Sequence, residues 1–353
     1  MKILFIASDT QALGGIQQYN RKFIKCLRDR GDKLSLVELR GSGIPARAWF
    51  VLVAALKGVF LAPDLTICAH VNYSPIGFFL GKALGRKYAV VTHGVDVWDV
   101  RKKLQRAGLL HAAVITTVAE FTRDKMVSQF PELKERIYLL YNPIDGARFV
   151  PKEISPVLAD RYKLEGKKVI FTIARLSSLE GYKGYDRVIM AMPKILASVP
   201  DAVYLLGGKG DDAPRVKKLI ADTGLSEKVR MAGFVSDEEL VDHYNLADVF
   251  IMPSTTEGAP AVFIEALCCG IPVIAGNKDG SPTPLQGGLT GLLIDPESID
   301  EIADAVIRVL KGDVEESLLD RKFLREKTLE KFGLERFPAR VDELLKRVSA
   351  PTR

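Results

Sequence analysis

A chain of 353 residues is too long for one comfortable core and suits two domains of ordinary size. With 47% apolar and 27% charged residues it reads as globular, which excludes a disordered or fibrous chain. The net charge of +6 is uneven: residues 1–150 hold 22 Lys+Arg against 12 Asp+Glu, and the remainder hold 28 against 32, so the first half leans toward an anionic partner.

The opening Met1–Ile6 run is cut short by Asp9, so Lys2–Ser8 reads as a strand and not as a leader. A helix over Ile16–Arg30 follows, then a strand over Lys33–Leu39. The longest apolar run, Ala48 to Leu56 inside Ile44–Pro63, is shorter than the roughly 20 residues a membrane span needs. It reads as a buried helix, with a membrane-facing helix as the lesser alternative. Strands at Leu65–His70, Tyr88–Thr92, Ala113–Thr117 and Ile137–Tyr141 alternate with helices at Pro75–Leu84 and Ala119–Phe130. Nearly all-apolar strands alternating with helices imply a parallel sheet covered on both faces.

The pattern pauses at Asn142-Pro143-Ile144-Asp145 and a Pro-bearing stretch runs on to Pro156, which marks a domain boundary near residue 150. It restarts with strand Val169–Ile173 and helix Gly184–Val199, strand Ala202–Leu206 and helix Ala213–Thr223, then strand Val229–Ala232 and helix Asp237–Leu246. Strand Asp248–Met252, helix Ala261–Cys269 and strand Pro272–Ala275 complete it. The tail beyond Pro296 reads as helix almost to the end. The expectation is an α/β protein of two facing Rossmann-like, doubly wound domains, 1–150 and 151–353, with a cleft between them. The C-terminal helix is a candidate to pack back on the first domain. In such sheets ligands meet the loops that follow the strands.

Two fixed cations, Arg175 and Lys183, stand between strand Val169–Ile173 and the next helix, a placement that suits a diphosphate. A solvated basic loop is the competing reading. In the segment Glu257-Gly258-Ala259-Pro260-Ala261-Val262, Pro260 fits the first helical position, leaving the Ala261 and Val262 amides at a positive helix end. Glu265, about one turn inside, needs hydrogen-bond donors if it is buried, and sugar hydroxyls supply them; complementing the helix dipole is the plainer role. His70 and His111 read as core or rim residues and His243 as a surface one. Gly207-Gly208-Lys209-Gly210 is either a phosphate approach or an ordinary turn. The four cysteines show no metal-ligand spacing and read as reduced core thiols.

These residues carry a resemblance. Glu257 and Glu265 enclose seven residues, as in the E-x7-E motif of glycosyltransferase family 4, the large retaining family of GT-B fold. Arg175…Lys183-Gly184-Tyr185-Asp186, Gly233-Phe234-Val235…Tyr244…Ala247-Asp248 and Gly288-Leu289-Thr290-Gly291-Leu292-Leu293 resemble its other C-terminal segments. Gly14-Gly15, His93-Gly94-x-Asp96 and Asn142-Pro143-Ile144-Asp145 resemble its glycine loop, H-G-x-D strand exit and linker. Their shared order and spacing carry the match along nearly the whole chain.

The resemblance implies a hexosyltransferase that draws on a nucleotide-diphosphate sugar, a UDP-sugar ahead of GDP-mannose, and passes the sugar to a saccharide or lipid-linked acceptor. Arg175 and Lys183 would bind the diphosphate, Glu257 the transferred sugar and Glu265 the ribose. The backbone near Val235 would meet the base, and His93 would lie by the sugar. Gly14 and Gly15 would let the first-domain loop approach, and the Gly258–Val262 backbone would line the donor. Three departures stand out: Ala259-Pro260 in place of Phe-Gly, Pro143 in the linker, and Asp279-Gly280-Ser281-Pro282 where the family has a Pro-Glu segment. No D-x-D triplet occurs, so metal-independent chemistry with no cofactor is expected. A cytoplasmic enzyme, peripheral at an anionic membrane face and without nucleic acid as partner, completes the expectation. A nucleotide-sugar epimerase or hydrolase of the same shape is the alternative; a nicotinamide oxidoreductase would need G-x-G-x-x-G after a strand, which is missing.

Overall fold

The computed structural model describes residues 1–12 and 14–349. The chain divides into two compact units, Met1–Pro143 with the C-terminal stretch from Glu335, and Ile144–Leu334. The division thus falls at Pro143/Ile144, earlier than residue 150, and the last helix counts with the first unit.

The first unit runs β1 (Lys2–Ser8), α1 (Gly15–Asp29), β2 (Lys33–Leu39), α2 (Ile44–Leu61), β3 (Leu65–Cys68), α3 (Ser74–Leu84), β4 (Lys87–Val91), α4 (Lys103–Leu110), β5 (Val114–Thr117), α5 (Glu120–Gln129) and β6 (Ile137–Leu139). Its sheet is parallel with order β2-β1-β3-β4-β5-β6. Right-handed crossovers put α1 on one face and α2 to α5, which all step the other way along the sheet, on the opposite face. The central strands are apolar because both faces are covered: Leu4, Phe5, Ile6, Val90 and Ile115 are fully buried.

The second unit holds α6 (Pro156–Arg161), β7 (Lys168–Ile173), α7 (Tyr185–Ser198), β8 (Ala202–Gly207), α8 (Ala213–Asp222), β9 (Val229–Gly233), α9 (Leu240–Asn245), β10 (Val249–Met252), α10 (Ala261–Cys268), β11 (Val273–Gly276), β12 (Gly291–Ile294), α11 (Ile299–Lys311) and α12 (Arg321–Phe332). Its sheet order is β12-β11-β10-β7-β8-β9, again parallel. Its core joins Ile170, Val188, Met192, Tyr204, Ile251 and Val306. Within this unit Ile144 donates its N–H to the Phe332 carbonyl and accepts from the Leu334 N–H, so the two ends of the unit meet at a single parallel bridge between Ile144 and Gly333.

The final helix, α13 (Phe337–Ser349), belongs to the first unit. Phe337 packs edge-on against Tyr19 and Phe23 of α1, Tyr138 donates to Glu343, and Arg340 lies 4.9 Å from the Tyr141 ring.

Three expectations need correction. The Ile44–Leu61 helix is not buried: only Phe50, Ala54 and Gly58 point inward, and Trp49 and Phe60 are 66% and 80% exposed. His243 is not at the surface; it is fully buried, 3.0 Å from the Tyr162 hydroxyl and 2.8 Å from the Glu239 carbonyl. Pro260 is the residue before α10 rather than its first helical one, with extended backbone.

Candidate active site

In the second unit the chain lays down β7, β8 and β9 in one direction, then returns to place β10 on the other side of β7. The loops after β7 and β10 therefore flank the point where the strand order reverses, where open α/β sheets form a crevice. Those loops carry Arg175–Lys183 and Ser254–Pro260.

The two loops are tied together. Thr255 donates its N–H to the Tyr182 carbonyl at 3.0 Å, and Arg187 donates to the Pro253 carbonyl at 2.7 Å. Gly184 sits at φ 75°, and a Cβ there would lie 2.4 Å from the Pro253 oxygen, so only glycine lets the loops meet. Across the junction Lys183 Nζ donates to Glu257 Oε1 at 2.6 Å and lies 3.6 Å from Glu180 Oε2. Both side chains of the main pair are under one-fifth exposed. Burial alone would push the Lys183 ammonium down, but the Glu257 charge and hydrogen bond outweigh it and hold it above its usual value. Arg175 is mostly exposed and reaches Glu180 at 3.3 Å. Arg175 and Lys183 thus share Glu180, a carboxylate without an assigned role in the sequence reading, and Lys183 links it to Glu257.

Ahead of α10, Gly258 and Pro260 are buried and Ala259 half-buried. Ala261 and Val262 open α10, whose first amides precede the intrahelical ladder and leave a positive end. Glu265 is buried in α10, and its donor is a protein hydroxyl: Tyr244 OH bonds Glu265 Oε2 at 2.7 Å. Burial first, then Glu265, push the Tyr244 phenol well above its usual range, so it stays a donor.

The Asp279 segment that departs from the family pattern braces this loop from below. Gly280 donates to the Glu257 carbonyl at 2.8 Å, and a Cβ on Gly280 would stand 1.7 Å from the Gly258 oxygen. Asp279, fully buried, accepts from Ser254 Oγ at 2.7 Å and from the Ser281 N–H at 2.8 Å. Desolvation outweighs those bonds and pushes its carboxyl up to about 6. A lone Asp after a strand gave no sign of this in sequence, because its hydroxyl partner Ser254 lies 25 residues back.

The glycines after β8 serve backbone approach. A Cβ on Gly208 would lie 1.8 Å from the Ala174 oxygen, and one on Gly210 1.9 Å from the Leu176 oxygen. They seat the Arg175 loop. Val235, half-buried, packs over the end of β8 beside Gly207, and Lys209 lies 4.4 Å from the exposed Phe234 ring.

In the first unit Gly14 takes φ 144° and Gly15 begins α1, leaving that helix end with no capping side chain. Leu13 lies outside the described residues. His93 follows β4; its ring lies 3.0 Å from the Ala69 carbonyl, and its N–H and that of Gly94 both bond Asp96 Oδ1. Burial lowers its pKa, against the pull of Asp96. His70 stands beside it, ring centroids 6.0 Å apart and 3.8 Å from Asp96 Oδ2, so it is a rim member of the His93 group. His93, Gly14 and Gly15 belong to the other unit from Lys183 and Glu257.

Two parallel Rossmann-like sheets, each with its loops at a reversal of strand order, define a GT-B protein. Solved structures agree on the fold. Sucrose-phosphate synthase from Thermosynechococcus elongatus aligns with TM-score 0.79 at 19% identity, covering all of both chains. The Anabaena protein HepE in complex with UDP aligns with TM-score 0.77 at 19% identity over 98% of this chain and all of that one. Residues 158–325 match the family described as glycosyl transferases group 1. Among sequence relatives, the GDP-mannose-dependent alpha-(1-6)-phosphatidylinositol monomannoside mannosyltransferase of Mycobacterium tuberculosis is 37% identical over 232 residues. That match takes in 62% of this chain and 59% of the mycobacterial enzyme, so less than two thirds of the relative's length is spanned.

Proposed function

We propose that the chain is a retaining glycosyltransferase that moves a hexosyl group from a nucleotide-diphosphate sugar to a lipid-linked or saccharide acceptor. The observation that carries the reading is the Lys183–Glu257 pair, part-buried where the β7 and β10 loops meet beside the open end of α10. In this reading Lys183 and Arg175 take up the charge that grows on the leaving β-phosphate, assisted by the Ala261 and Val262 amides. Glu257, relieved of part of its bond to Lys183, accepts from sugar hydroxyls. Glu265 keeps Tyr244 and offers its remaining acceptor capacity to the ribose. The leaving phosphate itself takes the acceptor proton, so no side chain acts as covalent nucleophile.

The GDP-mannose-dependent M. tuberculosis relative, a phosphatidylinositol monomannoside mannosyltransferase, supports GDP-mannose as the first donor to try for this chain and a phosphatidylinositol-type glycolipid as the first acceptor; the UDP-bound Anabaena structure keeps a UDP-sugar as the second donor. The test is transfer from a panel of nucleotide hexoses to a phosphoinositol glycolipid, read by mass spectrometry. One hexose unit added in the presence of GDP-mannose supports the reading. Donor cleavage to free hexose with every acceptor offered would make the protein a hydrolase.

A further inference from the structure

Helix α2 turns an apolar face to solvent. At 100° per residue, Phe50, Ala54 and Gly58 form the one stripe that packs inward, with a Cβ on Gly58 only 2.6 Å from Leu80. Opposite them lies an arc of about 180° with no charged or polar side chain, presenting Ile44, Trp49, Leu52, Leu56, Val59 and Phe60, each at least 45% exposed. A helix in a water-facing layer ordinarily shows the reverse pattern, and an exposed apolar face of this kind marks a docking surface.

Charge decides the occupant. Arg40 is paired with Glu38, and from Gly41 to Val95 the chain holds Arg47, Lys57, Lys82, Arg86 and Lys87 against a single acid, Asp64. Asp64 is taken by the Lys2 N–H at 2.8 Å. On the neighbouring α3 Phe79 is exposed, and so are Lys82 and Arg86 beyond it. A second copy docking face to face would set these cations against one another. An anionic lipid surface complements both features, with apolar side chains entering the acyl boundary and cations at the headgroups. Although α2 is long and apolar enough to span, its Phe50-Ala54-Gly58 stripe is packed on the unit, which fits a helix lying in the interface plane.

We infer that α2, with the end of α3, is an in-plane anchor that docks the first unit on an anionic bilayer. The other basic run of this unit, Arg101-Lys102-Lys103 with Arg106, offers less to a headgroup. There Arg101 is paired with Asp99, and Arg106 donates to the Val100 carbonyl and stacks 4.7 Å from Phe130. The inference deepens the lipid-linked arm of the acceptor reading, and it is read without any transfer, so each can fail alone.

The test is co-sedimentation with vesicles of phosphatidylglycerol and phosphatidylcholine, beside pure phosphatidylcholine. A Trp98→Phe variant leaves Trp49 as the sole tryptophan. The expected result is binding to the anionic vesicles, blue-shifted Trp49 emission and its quenching by brominated acyl chains. Leu56→Glu with Phe60→Glu should weaken binding at least about tenfold while thermal unfolding and donor binding stay at wild-type values, since both side chains are exposed. Lys102→Glu with Lys103→Glu should change it less. Unaltered binding by the Leu56/Phe60 variant overturns the inference. So does a wild-type dimer in vesicle-free solution that those substitutions dissociate, which would make the occupant a second copy. Unquenched Trp49 on bound vesicles overturns it as well.

Discussion

Replacing Lys183 by Met keeps the length of the side chain and removes the cation from between Glu257 and Glu180. Two carboxylates, each under one-fifth exposed, are then left facing one another. Breaking a buried pair by removing one partner costs about 3–5 kcal/mol, and partial exposure here brings the expected loss to about 2–3 kcal/mol. Because the folded-state pKa of Lys183 is raised, its stabilisation is fully present below the usual 10.5 and is lost as pH rises through the folded value. The stability gap between wild type and Lys183→Met should thus stay flat from neutral pH to about 10 and close above it. In transfer, losing a preorganised group that stabilises developing phosphate charge should lower kcat/KM by about 100-fold or more. Urea unfolding across pH and initial-rate kinetics on the same samples measure the two effects. A folded Lys183→Met protein with near-wild-type kcat/KM would refute the assignment of Lys183 to the leaving phosphate.

Gly280→Ala drives a Cβ into the Gly258 carbonyl, and the shift it forces on the Glu257 loop should lower kcat/KM by about 100-fold, read by the same kinetics. Asp279→Asn tests the buried carboxyl. With its folded pKa raised from 3.8 to about 6, the wild-type contribution is fully present below 3.8 and is lost as pH rises through 6. The stability of Asp279→Asn relative to wild type should therefore climb by up to about 3 kcal/mol across that window, and a flat difference in urea midpoints would contradict it. With Lys183, Arg175 and a helix end supplying positive charge, transfer should survive EDTA; activity lost to chelator and restored by magnesium would contradict that assignment.

Much of the fold was legible because the parallel strands are buried on both faces and therefore read as short apolar runs between turn residues. Val169–Ile173 and Asp248–Met252 were placed to within a residue of β7 and β10, and with them the two loops that meet at the strand reversal. β12 was missed, since Gly291-Leu292-Leu293-Ile294 is short and follows glycines that suggest a turn. The α2 error has a physical cause: an apolar run in an 18-residue helix looks the same whether it faces a core or a lipid. Only the packed stripe of Phe50, Ala54 and Gly58 separates the two. At the site, the cation and carboxylate that spacing singled out, Lys183 and Glu257, are directly paired. The contacts of Tyr244 with Glu265, Arg187 with the Pro253 carbonyl and Asp279 with Ser254 could not be read because each joins partners distant along the chain, and Glu180 lies in a stretch that reads equally well as a solvated loop.

The anomeric configuration of the product decides whether the Lys183 site carries out a retaining transfer. Proton NMR of the glycoside formed from an α-linked nucleotide hexose, GDP-mannose first, should show an α-linked product from wild type and none above background from Lys183→Met at the same enzyme concentration. A β-linked product, or transfer undiminished by Lys183→Met, would contradict a retaining transfer at that site.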